Sequence, residues 1–587
     1  MLAALQRIAA EKHIEAELTA EQIPLETPPK PELVDIGMPM FAFAKIFRMA
    51  PPLIAQQAAA YIGIQDLGEF VAVGPYINVK LNKAASAYGI LSKIAAQGAQ
   101  YGSAGADGTA PLAGRRVMVE FSSPNTNKPL HLGHLRNDAL GESVSRILKA
   151  AGADVYKVNI INNRGVHICK SMLAYQKFHE AQGDTPESLG IKSDRFVGDC
   201  YVEFDKWSKE DPETNQRAEE MLVKWEAGDP EIRALWEKMN GWAISGVQQT
   251  YERTGVSFDK LYYESETYLK GKDEILKGLE KGVFFKADDG SVRIDVTDVV
   301  GKGKDEDNHE KVLLRKDGTS VYITQDIGTA ISRHDDWAFN QLVYVVASEQ
   351  NYHFKILFHI LKKLGFEWAD KLYHLSYGLV NLPSGRMKSR EGTIVDADDL
   401  IDSLHAQALE AIKERGRDSD VGDADDVAEK VALGALHYYL LQATPIKDML
   451  FNPEESLSFN GNTGPYLQYM GARINSILGK ASEAGLKADY SPDAVALLNA
   501  AEEWELVKQL GDYPAIVQRA AENLDSSVMA AYLYETSKLF SKFYQNCSIM
   551  NADDKKLAAA RLYLAECTLQ VMKNAMNLVL VPYLERM

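Results

Sequence analysis

The chain has 587 residues, 46% apolar and 25% charged, with 82 Asp+Glu against 64 Lys+Arg and a formal charge of −18. At about 100–200 residues per domain this is a globular chain with several cores, which excludes collagen-like, disordered and disulfide-stapled classes. Cys169, Cys200, Cys547 and Cys567 form no CxxC pair, which argues for a reducing, cytoplasmic setting and against protein-bound zinc. No apolar run reaches the about 18 residues of a membrane span, and Glu11, Glu15 and Glu17 interrupt the start, so no signal peptide or membrane contact is expected. The acidic excess, taken alone, also counts against a nucleic-acid partner.

Residues 1–105 read as an α/β domain, with helical stretches and one alternating run at Tyr76–Leu81. The Gly/Ala-rich stretch Tyr101–Ala113 reads as a linker. Arg116–Ser123, RVMVEFSS, then predicts a buried strand stopped by Pro124. Leu135, Ala139, Leu140, Val144, Ile147 and Leu148 share one helical face, Gly152 is a suitable stop, and Val155–Ile161 resumes strand character. This is a parallel βαβ crossover. Residues 171–240 read as an acidic helical insertion, and the polar stretch Arg415–Asp426 as a second linker. From Val427 onward the pattern is helical. The expected domains are therefore 1–105, 106–425 and 426–587.

Three motifs carry no function. Asp418–Asp423 lacks the sixth-position glycine of a calcium loop, and Gly301-Lys-Gly-Lys304 lacks phosphate-loop spacing. Asn546-Cys-Ser548 is a sequon without a secretory route.

The chemistry concentrates where the first strand turns into the first core helix. His131 and His134 lie three apart at the helix start, where the backbone already favours anions, and Gly133 permits close approach of a flat ring. Imidazoles there can donate to phosphate oxygens as charge builds up during transfer, which suits ATP. Residues 111–170 hold nine basic against four acidic side chains.

The run Ser122-Ser-Pro-Asn-Thr-Asn-Lys-Pro-Leu-His-Leu-Gly-His-Leu-Arg136 resembles the HIGH signature of class I aminoacyl-tRNA synthetases, in the form found in arginyl-tRNA synthetases. Gly385-Arg-Met-Lys-Ser-Arg-Glu-Gly392 resembles the second class signature, KMSKS. It departs by Arg386 for the first lysine and Ser389 for the second. Arginyl members commonly lack that second lysine and carry one before HIGH, a place held here by Lys128. A Rossmann-like parallel-sheet core, an N-terminal α/β domain and a C-terminal all-helical anticodon-binding bundle are what the resemblance implies.

It further implies catalytic roles for Lys128, His131, His134, Arg386, Lys388 and Arg390, and ATP contacts from Ser122, His131, Gly133, His134, Met387 and Lys388. Glu120 and Asn125 would hold the amino-acid backbone end, Tyr322 and Asp326 the guanidinium, and Gln350 would complete the arginine pocket. Tyr466, Tyr469 and Arg473, on one helical face, would meet anticodon bases, and Tyr76 with Asn78 the tRNA elbow at the D-loop. The implied substrates are L-arginine, ATP with Mg2+ and tRNA(Arg), the product being a 2′-aminoacyl ester, in a monomer with no DNA partner. Another class I synthetase and a non-catalytic tRNA-binding paralogue are the alternatives. Asn162–Ile168 departs from the Asp-Trp-Gly of many relatives by placing Arg164 there.

The charge distribution removes the objection to an RNA partner. Residues 171–240 carry −7 and Asp418–Lys430 carries −5, whereas the 111–170 stretch around the HIGH-like turn carries +5. Binding there is expected to be salt-sensitive rather than indiscriminate.

Overall fold

The computed structural model describes residues 1–26, 28, 34–62, 68–103, 110–300, 309–383, 395–414, 422–552 and 554–587. They fall into two compact units. The first comprises Met1–Gly98, Ile477–Asp512 and Lys538–Val571, and the second Ala99–Ser476, Tyr513–Ser537 and Met572–Met587. No described helix is long and apolar enough to cross a membrane.

The first unit contains an antiparallel sheet of β1 (Ile36–Pro39), β2 (Gly68–Val73) and β3 (Tyr76–Leu81), ordered β1-β3-β2. Gly74, at φ +56°, turns β2 into β3. The alternation predicted for Tyr76–Leu81 is the observed strand. Ile77 and Val79 enter a core with Met38, Phe43, Phe47 and Ile54, while Tyr76 and Asn78 take the opposite, more open face. That face also carries the exposed Val71 and Val73 of β2, and Phe41 packs edge-on against Tyr76 at 5.8 Å between centroids.

The second unit is built on a five-stranded, all-parallel sheet. Its strands are β4 (Arg116–Glu120), β5 (Asp154–Ile161), β6 (Lys260–Tyr263), β10 (Gln341–Ala347) and β11 (Leu372–Tyr377). A small antiparallel sheet of β7 (Phe285–Lys286), β8 (Val292–Asp295) and β9 (Glu310–Leu314) interrupts them in sequence. The order β11-β10-β4-β5-β6 means that the chain builds outward from β4 in one direction, then returns to β10 and builds in the other. Such a reversal leaves a crevice at the carboxyl ends of β4 and β10, the usual ligand position in an open parallel sheet. This is the expected Rossmann-like core, and 171–240 is helical as predicted, in α2 (Val166–Phe178), α3 (Ser193–Glu210), α4 (Glu213–Glu226) and the first half of α5 (Pro230–Thr254).

Between β4 and β5 runs α1 (Leu132–Ala150), whose six predicted apolar positions are all buried. Arg136, Asn137, Asp138, Glu142, Ser143 and Ser145 are buried too, which a one-sided stripe does not anticipate. The helix is covered on several sides, by the sheet and by the helices Ala397–Glu414, Ala424–Leu441 and Tyr513–Asn523. Several of its polar groups are therefore bound internally rather than by water. Arg136 is fully buried and donates to the carbonyls of Gly378 (2.5 Å), Leu379 (3.2 Å), Pro445 (3.1 Å) and Lys447 (2.8 Å). One planar fork thus joins the segment after β11 to the chain near 445–447. Lysine cannot reproduce a four-carbonyl fork, so Arg136→Lys is expected to destabilise by about 3–5 kcal/mol in urea unfolding. A loss below about 1 kcal/mol would show that the fork is dispensable.

Candidate active site

At the carboxyl end of β4 the backbone turns through Ser122 and Ser123, at φ +76° and +52°. Two successive non-glycine residues in the left-handed region cost about 1–2 kcal/mol each, and a dedicated network offsets that. Asn137 Oδ1 accepts from the Ser122 N–H at 2.6 Å, and Asn159 Oδ1 from the Ser123 N–H at 2.9 Å. Asn137 in turn donates to the Val345 carbonyl (2.8 Å) and the Tyr377 hydroxyl (3.0 Å), so β10 and β11 also hold the turn. The Tyr251 hydroxyl joins Ser122 Oγ (2.6 Å) and Asn159 Nδ2 (3.1 Å).

His131 is the N-cap of α1, as expected for a helix start. Its Nδ1 accepts from the Gly133 N–H, and His134 Nδ1 accepts from the His131 N–H, both at 3.1 Å. With each Nδ1 used as an acceptor, each neutral ring carries its proton on Nε2. The rings lie 3.9 Å apart between centroids. A Cβ on Gly133 would come within 2.9 Å of His131 Cε1, so the ring that needs this glycine is that of His131 itself. Burial, with the nearby Lys128 charge, pulls the His131 pKa down to about 4 and that of His134 well below its ordinary range. Burial also lowers that of Lys128. Both imidazoles are therefore neutral hydrogen-bond donors at physiological pH.

Beside this turn a cleft of about 1080 Å³ opens, lined by Asn125, Asn162, Arg164, Glu264, Tyr268, Tyr322, Gln325 and Asp326 among others. It brings together the expected Asn125, Tyr322 and Asp326. Tyr322 and Asp326 are one turn apart on α6 (Tyr322–Asp336), and His353 of α7 (Asn351–Lys363) approaches Asp326 Oδ2 at 2.6 Å. Glu264, immediately after β6, is a buried second carboxylate that the motif reading missed. Its burial raises its pKa to about 7, with the Asp326 charge raising it further and Arg164 opposing. The sequence signal available was position: Glu264 follows the short strand Lys260–Tyr263, at the end of the sheet where ligands bind.

Arg164 also has a place here. Its guanidinium lies 4.0 Å over the Tyr268 ring, pairs with Glu226 of α4, and so ties the helical insertion to the cleft wall. Glu120 and Gln350 are not among the lining residues. Glu120 is buried in an ion pair with Arg333, which lies over Tyr262, and its other oxygen accepts from Ser123 Oγ at 3.2 Å. Gln350 is exposed at the end of a short 3-10 turn after β10. Arg386, Met387, Lys388 and Arg390 lie outside the described residues. Tyr466 is half-buried against Tyr534, Tyr469 is 38% exposed and Arg473 is half-buried, while Leu467, Met470 and Ile474 of the same helix are core.

Asp138 is 2% exposed, and burial, opposed only in part by the Ser122 side chain, pushes its pKa up to about 7. A raised acid favours the folded state fully below its unfolded pKa near 3.8 and loses that contribution as pH climbs toward 7. Asp138→Asn is accordingly expected to gain on the parent chain by about 3–4 kcal/mol between pH 4 and 7.5 in urea unfolding. A pH-independent difference would mean that the carboxyl finds a partner in solution.

Comparison with known proteins agrees with this geometry. The family described as tRNA synthetases class I (R), catalytic domain, matches residues 99–453. The DALR anticodon binding domain matches 467–587, and the arginyl tRNA synthetase N terminal domain matches 2–81. An arginine–tRNA ligase of Treponema denticola is 60% identical over 575 residues, covering 97% of this chain and 95% of its own. One from Treponema pallidum is 55% identical, over 96% and 95%. Of solved structures, Thermus thermophilus arginyl-tRNA synthetase aligns over 100% of this chain and 99% of its own, with a TM-score of 0.78 and 25% identity. Strand order, the HIGH-like turn and these matches agree along the whole chain, which belongs to the arginyl-tRNA synthetase family of class I aminoacyl-tRNA synthetases.

Proposed function

We propose that this chain is an ATP-dependent ligase that activates L-arginine to arginyl-adenylate and transfers it to the terminal ribose 2′-hydroxyl of tRNA(Arg). The observation that carries the amino-acid choice is the pair of carboxylates, Glu264 and Asp326, in one cleft at the carboxyl end of the parallel sheet. A guanidinium entering there meets carboxylate acceptors and neutralises a site that resists holding two negative charges. Tyr322 adds a flat face, and His353 holds one Asp326 oxygen, orienting the other. A lysine ammonium would leave part of that acceptor set unpaired, which is how a polar site rejects an analogue without editing.

At the other end of the substrate, Asn125 and Glu120 take the amino group, Glu120 through the oxygen that now carries only the Ser123 bond. Gln350 completes the pocket from the turn after β10. The arginine carboxylate then attacks the α-phosphate and pyrophosphate leaves, with Mg2+ arriving on the ATP phosphates. The Nε2–H groups of His131 and His134 donate to phosphate oxygens, Gly133 and Ser122 line the nucleotide position, and Lys128 supplies positive charge. Arg386, Met387, Lys388 and Arg390 are assigned to the leaving phosphates on the resemblance of their segment to the second class signature. In the second step the ribose hydroxyl attacks the adenylate carbonyl and AMP leaves.

The tRNA contacts are Tyr76 and Asn78 in residues 1–105, and Tyr466, Tyr469 and Arg473 in 426–587. The open face of β3 and the half-exposed helix stripe support that assignment. The enzyme is taken to act as a cytoplasmic monomer with no membrane or DNA partner.

Arginine-dependent ATP–pyrophosphate exchange in the presence of tRNA, followed by charging, tests the reading. Asp326→Ala is expected to abolish arginine use with tRNA affinity nearly unchanged. Glu264→Gln should cut kcat/KM for arginine about 10- to 150-fold, the loss of one charge-assisted pair. Exchange supported by another amino acid but not arginine would overturn the assignment. Tyr469→Ala should raise KM for tRNA several-fold while leaving KM for arginine unchanged.

A further inference from the structure

The helical insertion holds a cluster that the reaction does not use. His179 caps the C-terminus of α2, and Cys200 and Glu203 lie three apart on one face of α3. The nearest donor atoms of these three side chains all lie within 4.8 Å of one another. We propose that His179, Cys200 and Glu203 bind a divalent transition-metal ion of the zinc class, with Asp184 orienting the histidine.

The donor set is one imidazole, one thiolate and one carboxylate, which is zinc-like in its mixture of borderline and hard ligands. Tetrahedral coordination at about 2.0–2.3 Å puts neighbouring donors about 3.3–3.8 Å apart. His179 Nε2 and Glu203 Oε2, 2.9 Å apart, therefore need to open by a few tenths of an ångström, and the Cys200 sulfur needs to close by at most about an ångström.

The second, independent observation is the outer contact. Asp184 Oδ2 lies 2.9 Å from His179 Nδ1 and fixes the ring, aiming Nε2 at Glu203 Oε2, also at 2.9 Å. A carboxylate behind a histidine in this way is the recurrent support of a metal-ligating imidazole. The ring is further held by Tyr175, stacked at 6.3 Å, and Phe196, edge-on at 5.1 Å.

Without metal the geometry is that of an imidazolium between two carboxylates, which accounts for the raised His179 pKa but leaves Cys200 idle. Burial pushes that thiol up to about 12. Metal binding replaces the Nε2 proton and the thiol proton, both released to solvent, and forms N–metal, S–metal and O–metal bonds. A water fills the fourth position. The side chains of His179 and Glu203 are 16% and 37% exposed, so an ion can reach the site from solvent. The bound ion would pin the end of α2 to α3. The absence of CxxC spacing excludes sites built from cysteine pairs and is silent on this one.

The test is titration of the metal-stripped full-length chain with Zn2+ and with Co2+. One equivalent of tight binding is expected, with a thiolate-to-cobalt charge-transfer band. Cys200→Ser should remove the band and weaken zinc binding at least 100-fold. Glu203→Gln, a more exposed position, should weaken it by a similar factor with the band retained, and Asp184→Asn by about 10–100-fold. Absence of the band in the parent chain, or zinc affinity unchanged in both Cys200→Ser and Glu203→Gln, would overturn the proposal.

Discussion

The reaction centre depends on one expensive piece of backbone, the left-handed pair Ser122–Ser123. Those two residues lift the chain off β4 so that the segment through Asn125 and Lys128 reaches the first turn of α1. Their N–H groups, which a regular strand would offer to a neighbour, go instead to two asparagine side chains on α1 and β5. Because Asn137 also binds the Val345 carbonyl and the Tyr377 hydroxyl, the turn is braced from both sides of the sheet's reversal point. Strain of about 2–4 kcal/mol is held by contacts that are themselves buried, so the geometry persists without substrate.

The cleft shows the opposite strategy. Its two carboxylates are left undercompensated, with Glu264 raised by burial and by Asp326. Arg164 offsets part of this charge from outside, stacked on Tyr268 and paired with Glu226. An arginine of the protein thus sits beside the pocket proposed for free arginine, and aromatic stacking with a carboxylate pair holds it there. The acidic insertion, which looks like solvated surface in composition, supplies Glu226 to the cleft wall.

What could be read in the sequence was local. The βαβ crossover, the helix start at His131 and the strand Tyr76–Leu81 each depend on neighbours within about 20 residues, and each is present. The polar burial along α1 was not legible, because coverage on several sides comes from segments hundreds of residues away. Glu264 was hidden for the same reason: β6 meets β5 only through tertiary pairing, and a four-residue strand carries little periodicity. Arg164 was visible as a departure from relatives but had no meaning until Tyr268 and Glu226 were beside it. Glu120 and Gln350 rest on resemblance alone, and their surroundings here are a buried ion pair and an exposed turn.

The use of both imidazole Nδ1 atoms as helix caps binds two properties that are usually separate. Protonating either ring removes the lone pair that receives the backbone N–H, so acid would strip the first turn of α1 of its caps as it removed the neutral donors. Loss of chemistry and fraying of the helix would then share one titration, below the ordinary histidine range, where burial holds the His131 pKa near 4. In this fold the phosphate-facing groups are also the first stitches of the central helix.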